Sequence, residues 1–394
     1  MRDVLLLAWH YLTYHKGKTL TLTVCLTVAL SLPLTVHWTV ELLDREMVQR
    51  ARATPLVVGT HGSRFDLTLH SLYFHVDAPG TVRQAERHAI DEAEGVTAIP
   101  LYVRYQARGH PIVGTTLDYF SFRGIAIERG RPLTMLGDCV VGWRVAQRLG
   151  LEPGDRLLSD PENVFDLGGT YPLNMRVAGI LERTQTADDH AVFVDLKTAW
   201  VIEGIGHGHD DLDARQEDED EAILERNERR IVASPALRTH TTITPENIDT
   251  FHFHGDPADF PLSAIIAVPR DDRARTLMLG RYVGEDATYQ ALRPLQVIEE
   301  LMGMVLQIRR LFDVHHLFLL GVTGLFIVLV MMLSLRLRRR EVETMFYLGC
   351  GRGMIFILQA TELSILLVLS AAFAGATSWI IVEAARTWVQ TLTA

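Results

Sequence analysis

Three long apolar stretches punctuate this chain, and the pattern between them is that of a water-soluble protein. Leu20 to Val40 carries no Asp, Glu, Lys or Arg and is interrupted only by Pro33. Leu317 to Leu335 is also free of charge, and Met354 to Val382 is apolar apart from Gln359, Thr361, Glu362 and small residues. A helix needs about 20 such residues to cross the hydrocarbon core of a bilayer. The pattern therefore predicts three transmembrane helices, at 19–40, 317–335 and 354–382. A cleaved signal peptide would have a shorter apolar core with small residues behind it. Here Val40 runs into Glu41-Leu42-Leu43-Asp44-Arg45-Glu46, so the first stretch reads as an uncleaved span.

Charge orients these spans. Arg336, Arg338, Arg339, Arg340 and Arg352 crowd the short connection at 336–353. Basic loops of this kind stay cytoplasmic. Lys16 and Lys18 precede the first span and acids follow it, which places the N-terminus in the cytoplasm as well. Within 1–18, Leu5, Trp9 and Leu12 recur at helical spacing, as expected of a cytoplasmic amphipathic helix lying in the inner-leaflet interface. Three spans then put the tail at 383–394 on the far side of the membrane. Glu362 falls about two turns into the third span. An ionisable group there either faces a partner helix or polar cavity, or sits near the headgroups as an anchor.

The segment 41–316 contains no stretch that could span. It opens on a helical pattern from Glu41 to Ala53. It closes on another from Pro294 to Phe312, where Leu295, Ile298, Leu301, Met302, Val305, Ile308 and Leu311 keep helical spacing. These two predict stalk helices. Between them the texture is α+β. Strands are predicted at Pro55–Gly59, Phe74–Val76, Ile99–Tyr105, Pro111–Thr115, Met175–Leu181, Ala191–Val194 and Leu262–Val268, and helices at Thr81–Glu94 and Trp143–Leu149. Residues 205–231 depart from this texture. Glu217-Asp218-Glu219-Asp220-Glu221 reads as a solvated acidic loop containing histidines.

Composition narrows the function. A mean hydropathy of +0.13 fits a few spans around a large soluble domain. The net charge of −10 disfavours nucleic acid. Cys25, Cys139 and Cys350 fall in different compartments, so no disulfide within the chain is expected, and no CxxC motif occurs. Ser63, Asp66 and His70 could be written as a hydrolytic set, but they crowd together without a nucleophile elbow. HExxH is absent, and so is GxxxxGK[ST].

The 16 histidines concentrate in the middle segment. His252 and His254 alternate with Phe251 and Phe253, and Asp256 follows. On a strand, residues two apart share a face, so the two imidazoles point together while the two rings enter the core. Imidazoles with a nearby carboxylate suit zinc. His207 and His209 flank a glycine beside Asp210 and Asp211, a second candidate that would make 207–220 a metal-collecting loop. The competing reading is a polar face and a solvated loop without metal.

Four segments resemble the MacB/LolC/FtsX family of ABC transporter permeases. Leu6-Ala8-Trp9-Leu12-His15-Lys16 to Leu20 resembles its N-terminal amphipathic stretch. Val140 through Gly142-Trp143-Arg144-Val145-Ala146-Gln147-Arg148-Leu149-Gly150-Leu151-Glu152-Pro153-Gly154-Asp155 resembles its GxxLAxxLGLxxGD segment. Val177-Ala178-Gly179-Ile180-Leu181 with His190-Ala191-Val192-Phe193-Val194 resembles the paired strands that follow. Arg339-Arg340-Glu341-Val342-Glu343-Thr344-Met345-Phe346-Tyr347-Leu348-Gly349 resembles its cytoplasmic hairpin, with Glu362 where the family has a membrane glutamate. The resemblance implies a MacB-like periplasmic domain on helical stalks between spans 1 and 2, in a bacterial inner membrane. It implies a homodimeric permease and a separate ABC ATPase dimer that holds the ATP and Mg and docks on the hairpin. The docking residues would be Arg339, Arg340, Glu341, Glu343, Met345, Tyr347, Leu348 and Gly349. The family normally has a fourth span, so either a three-span subunit or an additional membrane subunit is expected, and a periplasmic protein is a further candidate partner. Three functions remain open: an export or extraction permease, an FtsX-like signalling subunit, and a zinc-linked membrane protein.

Overall fold

The computed structural model describes residues 2–75, 80–161, 172–208, 223–227, 230–233, 240–284, 287–337, 343–344, 346–347, 349 and 351–392. The helices are α1 (Arg2–Tyr14), α2 (Lys16–Arg52), α3 (Arg64–Tyr73), α4 (Gln84–Asp91), α5 (Leu117–Arg123), α6 (Trp143–Leu149), α7 (Leu196–Glu203), α8 (Asp272–Arg281), α9 (Pro294–Leu337) and α10 (Arg352–Leu392). The chain divides into two compact units. One is helical, Met1–Arg45 with Leu301–Val389, and the other is Glu46–Glu300 with Gln390–Ala394.

The second unit is built on a sheet. Its strands are β1 (Leu56–Thr60), β2 (Val82–Arg83), β3 (Val96–Ala107), β4 (His110–Thr115), β5 (Ile127–Gly130), β6 (Asp138–Val141), β7 (Arg156–Leu158), β8 (Asn174–Leu181), β9 (Val192–Asp195), β10 (Gly206–Gly208), β11 (Ile223–Asn227), β12 (Arg230–Ala233), β13 (Phe251–Phe253), β14 (Pro261–Leu262), β15 (Ala264–Pro269) and β16 (Tyr289–Leu292). A ten-stranded sheet runs β16-β1-β15-β3-β4-β9-β6-β8-β5, with β7 paired on β8. It is mixed: β4 lies parallel to β9, and β6 parallel to β8.

Side-chain alternation divides the core into two. Ile265, Ala267, Val192 and Val194 join one buried cluster with Ala199 and Trp200 of α7, Val145 of α6 and Ala274 of α8. Ile266 and Phe193, between them in sequence, join the other with Phe74 and Tyr119. Both faces are therefore covered, which is why the central strands read as near-continuous apolar runs rather than alternating ones. A fully buried side chain such as Phe193 contributes roughly 1.5–3 kcal/mol. β3 and β4 are joined by Arg108 and Gly109, at φ 54° and 76°. Two positive φ angles in a two-residue connection match the twist of the strands.

Three sequence expectations change. Within 205–231, expected as a solvated loop, Gly206–Gly208 and Ile223–Asn227 form strands, the latter paired with Arg230–Ala233. No strand forms at Phe74: it ends α3 in the left-handed conformation, φ 61°, with its N–H donated to His70 O. Residues 76–79 lie outside the described set. The helix expected from Thr81 begins at Gln84, because Val82 and Arg83 pair with Leu262 and Pro261. Ser63 and Asp66 are explained as a helix cap, Ser63 Oγ accepting from Asp66 N at 3.2 Å. His70 is buried in α3.

Among the described residues, two helices are long and apolar enough to cross a membrane, Lys16–Arg52 and Gly353–Ala385. α2 continues through the expected boundary at 40/41 without a break and contains Pro33. α9 likewise runs through both the Pro294–Phe312 pattern and the apolar 317–335 stretch.

Candidate functional site

The last turn of α2, which belongs to the second unit, is held within that unit by a buried charge. Arg50 is 8 % exposed, at the end of a helix that is otherwise apolar over much of its length. Its Nη1 donates to Asp188 Oδ2 at 2.6 Å and its Nη2 to Asp188 Oδ1 at 3.2 Å. Tyr119 Oη donates to the same Oδ1 at 2.6 Å, and Arg50 Nε donates to Leu72 O. The guanidinium also faces the rings of Phe74 and Tyr73, 5.6 and 5.9 Å from their centroids. Burial alone would raise the Asp188 carboxyl, but the charge and hydrogen bonds of Arg50 outweigh it and hold the group well below the usual carboxylate range. Burial also pushes the Tyr119 phenol up to about 12.

The segment resembling the family's GxxLAxxLGLxxGD pattern sets the position of Asp188. Asp188 lies in a single 3₁₀ turn, Ala187–His190, capped by Thr186. Gly142, the N-cap of α6, lies flush against that turn. A Cβ there would stand 2.3 Å from Asp188 O and 2.5 Å from Asp189 C, so only glycine fits. Gly150 then closes α6 in the left-handed conformation, φ 65°. Asp155 Oδ2 accepts from Glu152 N at 2.8 Å and completes the turn.

In the helical unit α2 and α10 pack through small and hydroxyl residues. Leu358, Glu362, Leu366, Ser370, Ala374 and Ser378 recur every four residues on α10, and all are buried. Opposite them lie Thr23, Thr27, Ser31 and Thr35 at the same spacing. Ser378 Oγ donates to Ser31 O at 3.0 Å, Thr35 Oγ1 reaches Ser378 Oγ at 3.0 Å, and Ser370 Oγ donates to Thr23 O at 3.3 Å. Small residues at this spacing let helix backbones approach closely where there is no hydrophobic drive between them. Glu362, 5 % exposed, belongs to this stripe.

Of the expected docking residues, Glu343, Tyr347 and Gly349 are described. Glu343 and Tyr347 are exposed, Tyr347 by 87 %, and Gly349 makes a turn at φ 94°. Arg339, Arg340, Glu341, Met345 and Leu348 lie outside the described residues.

The histidine candidates resolve differently from their sequence grouping. α7 ends at Gly204, φ 88°, and leads into β10, which pairs with β13. His207 stands directly opposite His252 in the ladder, and the ladder extends to His254, whose N–H donates to Ile205 O at 2.9 Å. The three rings share one face, with centroids 4.7, 4.8 and 4.8 Å apart. On the other face Phe251 and Phe253 pack against the core cluster, lying over Gly208 and Gly206. Asp256 is not in the group; its carboxylate caps the turn Pro257–Asp259, accepting from Ala258 N at 2.9 Å. His209 lies outside the described residues.

Sequence reasoning passed over Arg50, Asp188 and Tyr119, and also the serine and threonine stripe. The stripe was legible as a four-residue period. The Arg50 contact was not, because its partner is 138 residues away.

Residues 40–229 match the model of the MacB-like periplasmic core domain. No curated protein matches the chain. Among solved structures, the extracellular domain of the noncanonic ABC-type transporter YknZ from Gram-positive bacteria aligns at 10% identity. That alignment covers 60% of this chain and 98% of the other, with a TM-score of 0.33. The periplasmic region of MacB from Actinobacillus actinomycetemcomitans aligns at 9% identity over 65% and 97%, with a TM-score of 0.36. At these scores neither carries weight beyond the family match. Residues 40–229 of the α+β unit thus carry the pattern of a MacB-like periplasmic core domain, which supports a MacB-like ABC transporter permease.

Proposed function

We propose that this chain is the membrane subunit of a MacB/LolC-type ABC system, coupling ATP hydrolysis in a separate subunit to movement of its periplasmic domain for export or extraction of a substrate. The observation that carries this reading is the MacB-like core domain at 40–229, bracketed by apolar helical segments in α2, α9 and α10. Three spans, at 19–40, 317–335 and 354–382, place the N-terminus and the 336–353 hairpin in the cytoplasm and the C-terminal tail in the periplasm. The hairpin docks on the ATPase dimer. Arg339, Arg340, Glu341 and Glu343 form its polar rim, and Met345, Tyr347 and Leu348 its apolar contacts. Two copies of the permease meet on one ATPase dimer in the inner membrane. Displacement of α2 is passed to the domain through Arg50, whose fork on Asp188 leaves it little freedom to slip.

An FtsX-like signalling role uses the same spans and hairpin. The size of the domain favours transport, since an activator needs only a small periplasmic contact.

The test is co-purification of the chain with the ABC ATPase encoded nearest to its gene, followed by ATPase assay in nanodiscs. Glu341→Lys and Leu348→Asp are expected to abolish association and permease-dependent ATP turnover. Association and turnover unchanged in both variants would remove the hairpin from the coupling path.

A further inference from the structure

We infer that His207, His252 and His254 form a binding site for a divalent transition-metal ion of the zinc class. One imidazole nitrogen from each lies within 4.8 Å of those of the other two. A tetrahedral zinc ion with nitrogen ligands at 2.0–2.1 Å holds them about 3.3 Å apart. Closing each pair by at most about 1.5 Å requires only small torsions in side chains that are half-buried or exposed.

Three features make this a built site rather than a chance cluster. The cross-strand pair and the residue two places along are the arrangement in which a two-stranded ribbon projects three side chains to one point. The ribbon is fixed from behind, because Phe251 and Phe253 are packed on the core and only glycine at 206 and 208 admits their rings. The orientation of His252 is set too. Its Nδ1 lies 3.1 Å from Thr250 O, so the proton sits on Nδ1 and the lone pair on Nε2. A backbone carbonyl behind a ligating imidazole is the usual way its tautomer is selected. Three imidazoles converge here with no carboxylate among the described residues of the group, a donor set that suits Zn²⁺, Co²⁺, Ni²⁺ or Cu²⁺ over Mg²⁺ or Ca²⁺. These three ligands from the described residues leave a fourth position for water, an exchanging ligand or a further side chain.

The experiment uses the full chain in detergent, stripped with chelator and titrated with Zn²⁺ against a chromophoric competitor. Stoichiometric zinc is expected. His252→Ala and His254→Ala should each weaken it by at least about 10-fold, while His240→Ala, beside the ribbon on the phenylalanine side, leaves it unchanged. Co²⁺ bound to the unsubstituted chain should give the intense visible bands of a tetrahedral site, a readout that does not depend on any variant folding. No tight zinc, an octahedral cobalt spectrum, or full zinc affinity retained in both triad variants would each overturn the site.

Discussion

Arg50 Nη1 lies 2.6 Å from Asp188 Oδ2, with the two side chains 7 % and 2 % exposed. The pair joins the C-terminal turn of α2 to a 3₁₀ turn next to the sheet, and Tyr119 completes the hydrogen bonding of the carboxylate. A charge buried this far is tolerated only with its partner in place.

Removing one member leaves the other buried and charged. Arg50→Met and Asp188→Leu are each expected to cost about 3–5 kcal/mol. The double variant should cost less than either single change, because no charge is then stranded. Thermal melts of the four proteins, read as a double-mutant cycle, measure this; additive losses would show that the two side chains do not act on each other.

Gly142→Ala should destabilise by about 1–3 kcal/mol, through overpacking against the Asp188–Asp189 backbone. Gly124→Ala is a poor control because its φ is 66°, whereas Gly280 is open and has ordinary φ. Gly280→Ala should therefore leave the melting temperature near that of the unsubstituted chain.

His190 gives the domain a pH dependence. Burial lowers it to about 4 from 6.5; Asp189 opposes the shift, and Arg144, His110 and Arg148 add to it. His110, whose Nδ1 meets His190 O at 3.0 Å, is lowered as well, again chiefly by burial. The unfolded chain thus binds protons that the folded one refuses between pH 6.5 and 4. Stability is full above pH 6.5 and is lost as pH falls through this window, by up to about 3 kcal/mol for His190. The depressed Asp188 adds its own loss only below about pH 4. His190→Asn should flatten the melting-temperature profile between pH 7 and 4; a profile as steep as before would assign the effect elsewhere.

Thr35 Oγ1 and Ser378 Oγ are 3.0 Å apart. In a chain with Cys25, Cys139 and Cys350 replaced by serine, Thr35→Cys with Ser378→Cys should cross-link under mild oxidation in membranes. Thr21→Cys with Ser378→Cys should not. Leucine at Ser370 or Ala374 would separate the helices and lower the melting temperature.

The apolar runs, the helical spacing of 294–312 and the Gly-rich pattern at 142–155 could be read without a structure. They are local, and their periods report the environment of each element. The alternation at 251–254 likewise predicted which face the histidines share. What brings His207 to them is the pairing of β10 with β13, and no local pattern encodes which strand pairs with which. The same holds for Asp256, whose carboxylate was nearer in sequence but serves as a helix cap. Arg50 read as one more polar residue at the end of a helix, because its meaning depends on a carboxylate contributed by a distant turn. The sequence by itself determined the elements and which of their faces are apolar. The tertiary structure alone decided which polar groups meet, since a buried charge is stabilised by a partner that folding, not chain proximity, supplies.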